Sequence, residues 1–548
     1  MLRFRRQLCV AAAVLAGASG SVVAATTPAA AQEAPTAVTA GGMPTPQTNG
    51  MILSVAIVGN TVYAGGKFNK ARPAGVAPGG EGEVTRNNLL AFDLRTGELL
   101  PWAPQVTGTP FSGNNPGPYC KPSGSQWVCD SVFRIKASPD GSRIYVGGDF
   151  DRVNGQWRSR LAAFDTAGAL VPNFRPQVGG RVRGISVTSD TVYIGGGFGA
   201  VNGTTRQRLA ALGSDGALRP FAPTADGEVF ALAAAPAQNR VVVGGAFNQI
   251  NGTSRRAIMG VDAATGANVS WQWRAPSNKD VVTDIVTDEG GTAYLGAYNY
   301  GGGDPRFEGR GAINIADGSA KWFDGCYGDT QAVSVSNGVL YSASHAHQCL
   351  AMGTFPETRP YRRLLAESTD VRGTAPVTRN HVQRGDPIPE MLPWFPNTNG
   401  GPSDSPWSNG PWAVASNGDY VVVGGEFTTV NGKAQQSLTR FAARGVPGAV
   451  HNGPQTPFRA PTVTRNNAGQ PVVNWQTTWD AQNSEIRYEL FRVGNGTPIH
   501  TVTRESRFWN LPNLSYVDTG APQGQQRYWV RAIDADGARI GSPQSEPG

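Results

Sequence analysis

Breaks in an otherwise regular sequence mark where chemistry could sit. Two histidines stand two residues apart in Ala343-Ser344-His345-Ala346-His347-Gln348-Cys349. Alternate residues of an extended strand face the same way, so His345 and His347 can converge on one ligand. Imidazole pairs bind zinc or copper, and a histidine moves protons near neutral pH. Asp329, in Gly328-Asp329-Thr330 upstream, is the third candidate ligand of a divalent metal or partner in acid–base work. The plainer account has both histidines hydrogen-bonding loop backbone. No other cofactor is predicted.

A second constellation appears when the innermost strands of the repeat described below are aligned. Arg134, Gly184, Ala231, Asp284, Ala332 and Ala413 fall at one equivalent position, and Phe133, Arg183, Phe230, Gln331 and Trp412 at the position before it. Arg134, Arg183 and Asp284 are then charges on strands around a central channel, where burial is costly unless they are paired or solvated. They read either as an ionic plug or, with Phe133, Phe230 and Trp412 as aromatic walls, as a pocket for a sugar or another small polar ligand.

Other chemistries lack their residues. No Gly-x-Ser-x-Gly follows the leader, and there is no P-loop or His-Glu-x-x-His. Arg3, Arg5 and Arg6 precede an apolar run from Leu8 to Val23, and Ala29-Ala30-Ala31 before Gln32 fits a cleavage site, so residues 1–31 read as an export signal. Removing those three arginines lowers the formal charge from +7 to +4, too dispersed to indicate a nucleic-acid partner. No later stretch is long and apolar enough to span a bilayer. A secreted, monomeric protein is expected. Its four remaining cysteines pair by proximity as Cys120–Cys129 and, by elimination, Cys326–Cys349.

What positions these residues is a repeat. A short apolar strand is followed by a second ending in Gly-Gly-x-aromatic, an Asn-Gly turn, a third strand and a Trp/Phe-x-Pro. The second strands are Val62 to Phe68, Ile144 to Phe150, Val192 to Phe198, Val241 to Phe247, Ala293 to Asn299, Leu340 to Ala346 and Val421 to Phe427. Their equivalent positions 65, 147, 195, 244, 296, 343 and 424 are mostly about 50 residues apart, the length of a four-stranded blade. The fold expected is all-β, a seven-bladed β-propeller over residues 36–450, with residues near 36–47 completing the last blade. Insertions at 71–88, 104–130, 324–329, 347–361 and 396–410 fall on one face, and that at 370–388 on the other.

From about Pro457 the pattern changes. Val472 to Trp475, Tyr488 to Arg492 and Tyr528 to Ala532 alternate as strands, and Trp475, Tyr488 and Tyr528 resemble the core of a fibronectin type III sandwich, here residues 457–548. Repeat and module together resemble secreted actinobacterial β-propeller proteins of the delta-60 repeat type. That resemblance implies an extracellular propeller with a binding role and no assigned reaction. The leading expectation is a binding protein that recognises carbohydrate or a protein partner through the looped face. The alternatives are an enzyme centred on His345, His347 and Asp329, and a structural cell-surface spacer.

Overall fold

The computed structural model describes Glu33 to Gly548; the expected export signal over residues 1–31 lies outside these residues. Among them the chain is all-β, with two short 3-10 turns at Pro236–Gln238 and Leu350–Met352. Seven innermost strands appear in order: β1 Met51–Val58, β2 Ser131–Ala137, β3 Val182–Val187, β4 Val229–Ala235, β5 Asp280–Thr287, β6 Thr330–Ser336 and β7 Pro411–Ser416. Each pairs antiparallel with a second strand, and that with a third; the sheet of β5 adds a fourth, Ala320–Phe323. Every inner strand lies beside the next, and β7 lies beside β1, so the seven sheets close a ring around a channel.

The seam is made near both ends of the ring segment. The backbone N–H of Met43 donates to Arg440 O at 2.9 Å and that of Thr39 to Ala442 O at 2.8 Å, laying the N-terminal segment along the last strand, Leu438–Ala442. Hydrogen bonding across that edge covers a row of backbone groups otherwise open to pairing with another chain.

Between sheets the packing is repetitive because the sequence is. A tyrosine of the second strand meets the aromatic residue of the Trp/Phe-x-Pro edge-on: Tyr63 with Trp102 at 4.9 Å, Tyr145 with Phe174 at 5.2 Å, Tyr193 with Phe221 at 5.1 Å and Tyr341 with Trp394 at 5.1 Å. Such edge-to-face pairs satisfy the ring quadrupoles while filling the core. Asn154, Asn202, Asn251 and Asn431 adopt φ of 49°, 50°, 49° and 50°, each followed by a glycine at positive φ, as a tight hairpin turn demands.

One local irregularity recurs in every inner strand. The ladder slips by one residue between Ile52 and Ser54, Val132 and Arg134, Val182 and Gly184, Val229 and Ala231, Val282 and Asp284, Thr330 and Ala332, and Pro411 and Ala413. These β-bulges leave one residue per strand out of the ladder and re-aim its side chain.

Both disulfides form as the cysteine order suggested. Cys120–Cys129 ties a two-stranded hairpin, and Cys326–Cys349 joins two loops beside β6. The insertion at 370–388 corrects an expectation. Its tip reaches the Cys326 loop, where Asn380 N–H donates to Tyr327 Oη at 3.0 Å and Asn380 Nδ2 to Cys326 O at 3.3 Å. Gly373–Thr374 pairs with Pro387–Ile388 at the base of the insertion, and residues 375–386 between them carry Asn380 to that loop.

The last residues form two further sheets. Thr462–Arg465, Pro471–Gln476 and Asn513–Val517 face Glu485–Arg492, His500–Glu505, Tyr528–Ile533 and Arg539–Gly541 across a core of Trp475, Ile486, Tyr488, Tyr528 and Val530.

Candidate functional site

The seven residues that the bulges eject are Leu53, Phe133, Arg183, Phe230, Thr283, Gln331 and Trp412, and all seven line one cavity of about 310 Å³ at the end of the channel. Its upper wall comes from loops. Tyr119 arrives on the disulfide-tied insertion, Asp329 from the loop entering β6, and Trp407 and Asn409 from the insertion before β7; Tyr298 completes it. Tyr119 and Trp407 stack at 5.0 Å, and Trp407 meets Trp412 edge-on at 5.5 Å. Glu426 fixes this corner: Trp412 Nε1 donates to its Oε1 at 3.2 Å, Asn409 N–H donates to the same oxygen at 3.0 Å, and Ser405 Oγ donates to Oε2.

Arg134 forms the floor. Its Nη1 donates to Asp284 Oδ1 at 2.9 Å, and its other nitrogens reach the carbonyls of Arg183 at 3.2 Å, Phe230 at 3.3 Å and Thr283 at 3.4 Å. Asp284 is buried below that floor, accepts from Val333 N–H at 3.1 Å and does not line the cavity. The Arg134–Asp284 pair therefore divides the channel, leaving a second cavity of about 240 Å³ beneath that Lys136, Ser334 and Ser416 help to line. Of the six residues expected to bind ligand, Phe133, Arg134, Arg183, Phe230 and Trp412 meet at the cavity, whereas Asp284 holds Arg134 from behind.

The histidines lie one layer back. His345 Nδ1 is 3.0 Å from Asn409 Oδ1, and its Nε2 accepts from Asp329 N–H at 3.4 Å. Those partners require the proton on Nδ1 of a neutral ring, and burial lowers the pKa of His345 accordingly. His347 instead has Nδ1 2.6 Å from Glu357 Oε2, and both rings pack on Tyr361, 5.6 and 5.5 Å away. His345, His347 and Asp329 do not bring their ligand atoms together within 4.8 Å among the described residues. The two described clusters that do, Cys120–Cys129–Asp149 and Asp324–Cys326–Glu367, contain disulfide sulfurs, and Arg310 lies 2.7 Å from Asp324 and 2.6 Å from Glu367 in the second.

Burial pushes the Asp329 carboxyl up to about 6, with Arg306 and His347 opposing the rise. Burial, then the Asp329 charge, raises Tyr298 to about 12, so its hydroxyl is a donor at any physiological pH. The Asp329 carboxylate, the Tyr298 hydroxyl and the Gln331 amide have no hydrogen-bond partner among the described residues. Leu53 and Thr283 share the register of the expected pocket residues and could have been added from it. Tyr119, Trp407 and Asn409 sit in insertions, which carry no register.

A family model described as a domain of unknown function (DUF5122), beta-propeller, matches residues 139–174, which hold the second and third strands of the β2 sheet. No curated protein matches the chain. Among solved structures, the chain is similar to the computationally designed Ika8 protein, at 13% identity and a TM-score of 0.38 over 73% of this chain and 100% of that one. It is also similar to Saccharomyces cerevisiae Sqt1, at 11% identity and a TM-score of 0.35 over 81% and 97%. An extracellular domain from B. thetaiotaomicron is similar at 10% identity and a TM-score of 0.24 over 90% and 80%. The one stretch matched by a family model is thus of β-propeller type, within a chain that is all-β throughout its described residues.

Proposed function

We propose that this chain is a secreted, monomeric seven-bladed β-propeller, residues 36–450, with a fibronectin type III-like module at 457–548, and that it binds a carbohydrate in the cavity at its looped face. The observation that carries the reading is the convergence of seven bulge residues and three insertion loops on one cavity. Its aromatic walls suit the apolar face of a sugar ring, and its unpartnered carboxylate, phenol and amide suit the hydroxyls. Two disulfides and the absence, among the described residues, of a helix able to cross a membrane agree with an exported protein.

Trp407 and Trp412 make the test direct, because a bound sugar changes their fluorescence. Titration with an oligosaccharide panel is expected to give a saturable signal that Trp407→Ala weakens about tenfold, the value of one aromatic contact. A flat titration across the panel would sink the reading. Acid–base catalysis is the second reading, favoured by the Asp329 carboxyl at about 6 inside the same cavity. It requires glycan cleavage in the same tubes, abolished in Asp329→Asn; unchanged glycans would exclude it.

A further inference from the structure

Arg183 enters the cavity from the bulge of β3 with its guanidinium wedged among rings. Its central carbon lies 5.0 Å from the centroid of Tyr119, 4.5 Å from Phe133 and 4.9 Å from Phe230. Rings packed around a planar cation fix it in place and leave its edges to hydrogen-bond. One edge is used: Nε donates to Glu228 Oε1 at 3.1 Å. That carboxylate is shared with Arg181 Nε at 3.3 Å, so two guanidiniums and one carboxylate leave a local charge of +1. The two terminal amino groups of Arg183 have no hydrogen-bond partner among the described residues, although the side chain is only 15% exposed. That edge is the one that takes a carboxylate through two parallel bonds.

Across the ring, Asp329 enters at β6, three strands from β3, with Gln331 and Tyr298 near it. The cavity is thus cationic on one side and offers hydroxyl-matching groups on the other.

We infer that the ligand is a carboxylate-bearing sugar, a uronic-acid unit of an acidic glycan, with its carboxylate on the terminal amino groups of Arg183 and its hydroxyls on Asp329, Gln331 and Tyr298. This rests on the carbohydrate reading above and adds the charge. A neutral sugar would leave the Arg183 edge unpaired in a largely buried site, which costs binding free energy. A free amino acid would pair both charges yet leave Gln331 and Tyr298 without partners.

Calorimetric titration of the full mature chain with glucuronate, galacturonate and mannuronate oligosaccharides, each beside its carboxyl-reduced counterpart, tests the assignment. At least one uronate is expected to bind ten times or more tighter than its reduced form. Arg183→Gln should erase that difference, and Arg183→Lys should restore part of it. Trp407→Ala should weaken acidic and neutral forms alike. If reduced sugars bind as tightly as uronates, the role of Arg183 is overturned while the carbohydrate reading stands. If no sugar of either kind binds, both fail, and preferential binding of free amino acids overturns the sugar. Should Arg183→Gln not fold, added salt must weaken the uronate and spare its reduced form in the wild-type chain; equal effects would overturn the assignment.

Discussion

Asp329 carries the sharpest residue-scale consequence. A mostly buried carboxylate without a hydrogen bond is disfavoured in its charged form, which is why its pKa rises from 3.8 to about 6. The stability it contributes is therefore complete below about pH 4 and lost as pH rises through about 6. At about pH 7.5 the ionised group costs about 1–3 kcal/mol, after discount for its partial exposure. Asp329→Asn should stabilise the ligand-free protein by that amount at about pH 7.5 and leave it nearly unchanged at about pH 4. Urea unfolding at the two pH values measures this, and an equal effect at both would refute it. Residues sharing a repeat register were readable in advance: Phe133, Arg183, Phe230 and Trp412 reach the cavity because equivalent positions on a ring face one axis. His345 and His347 depart visibly from the repeat, but alternation alone does not show that the strand pairing slips between Ala343 and Ala346 and separates them onto different partners.

At the scale of the element, the paired glycines have two distinct roles. A Cβ on Gly148 would lie 2.1 Å from Ser131 O in its own sheet, whereas a Cβ on Gly147 would lie 2.7 Å from Val182 Cγ1 and 2.9 Å from Ile185 Cδ1 in the next. The first contact accompanies the bulge, and the second sets how closely neighbouring sheets approach. The chain itself contains the complementary case. The residue facing the first glycine of the preceding sheet is Ile52, Val132, Val182, Val229, Val282 or Thr330, all β-branched. At the one step where the equivalent residue is Pro411, the glycine is replaced by Ala343. Gly147→Ala should consequently cost about 1–3 kcal/mol by overpacking, and Val182→Ala added to it should recover part of that loss. Denaturant midpoints of the two single variants and the double variant decide it; strict additivity would show that the two positions do not press on one another. The close approach was legible from the Gly-Gly pairs. The bulge was not, because it shifts the phase of the alternation in mid-strand: Val182 and Ile185, three residues apart, face the same glycine, where strict alternation would pair residues two apart.

For the whole molecule, the ring and the C-terminal sheets share an interface that no motif announced. Arg362, in the third strand of the β6 sheet, places its guanidinium 3.7 Å from the ring centroid of Phe508 and 5.3 Å from that of Trp479. Burial lowers its pKa to about 10, and no carboxylate pairs with it among the described residues, so aromatic faces take the place of a counter-ion. Phe355 and Phe395 from the ring pack on Phe508 and Trp509, and Phe395 N–H donates to Ala481 O at 2.7 Å. Arg444 adds an ion pair to Asp536 at 2.7 Å. Phe508-Trp509 reads as an ordinary apolar dipeptide in a turn-rich stretch, so composition gave no sign that it docks elsewhere. The disulfide loop of Cys349 ends on Phe355, which ties the docked sheets to the same region that supplies Asp329. The two parts should therefore unfold together, in one calorimetric transition. Phe508→Ala removes the platform under Arg362 and should weaken docking by about 1–3 kcal/mol. The C-terminal sheets would then melt first as a separate lower-temperature transition, with earlier proteolytic cutting near residues 445–457. A single unshifted transition in that variant would mean that the interface contributes nothing to cooperativity.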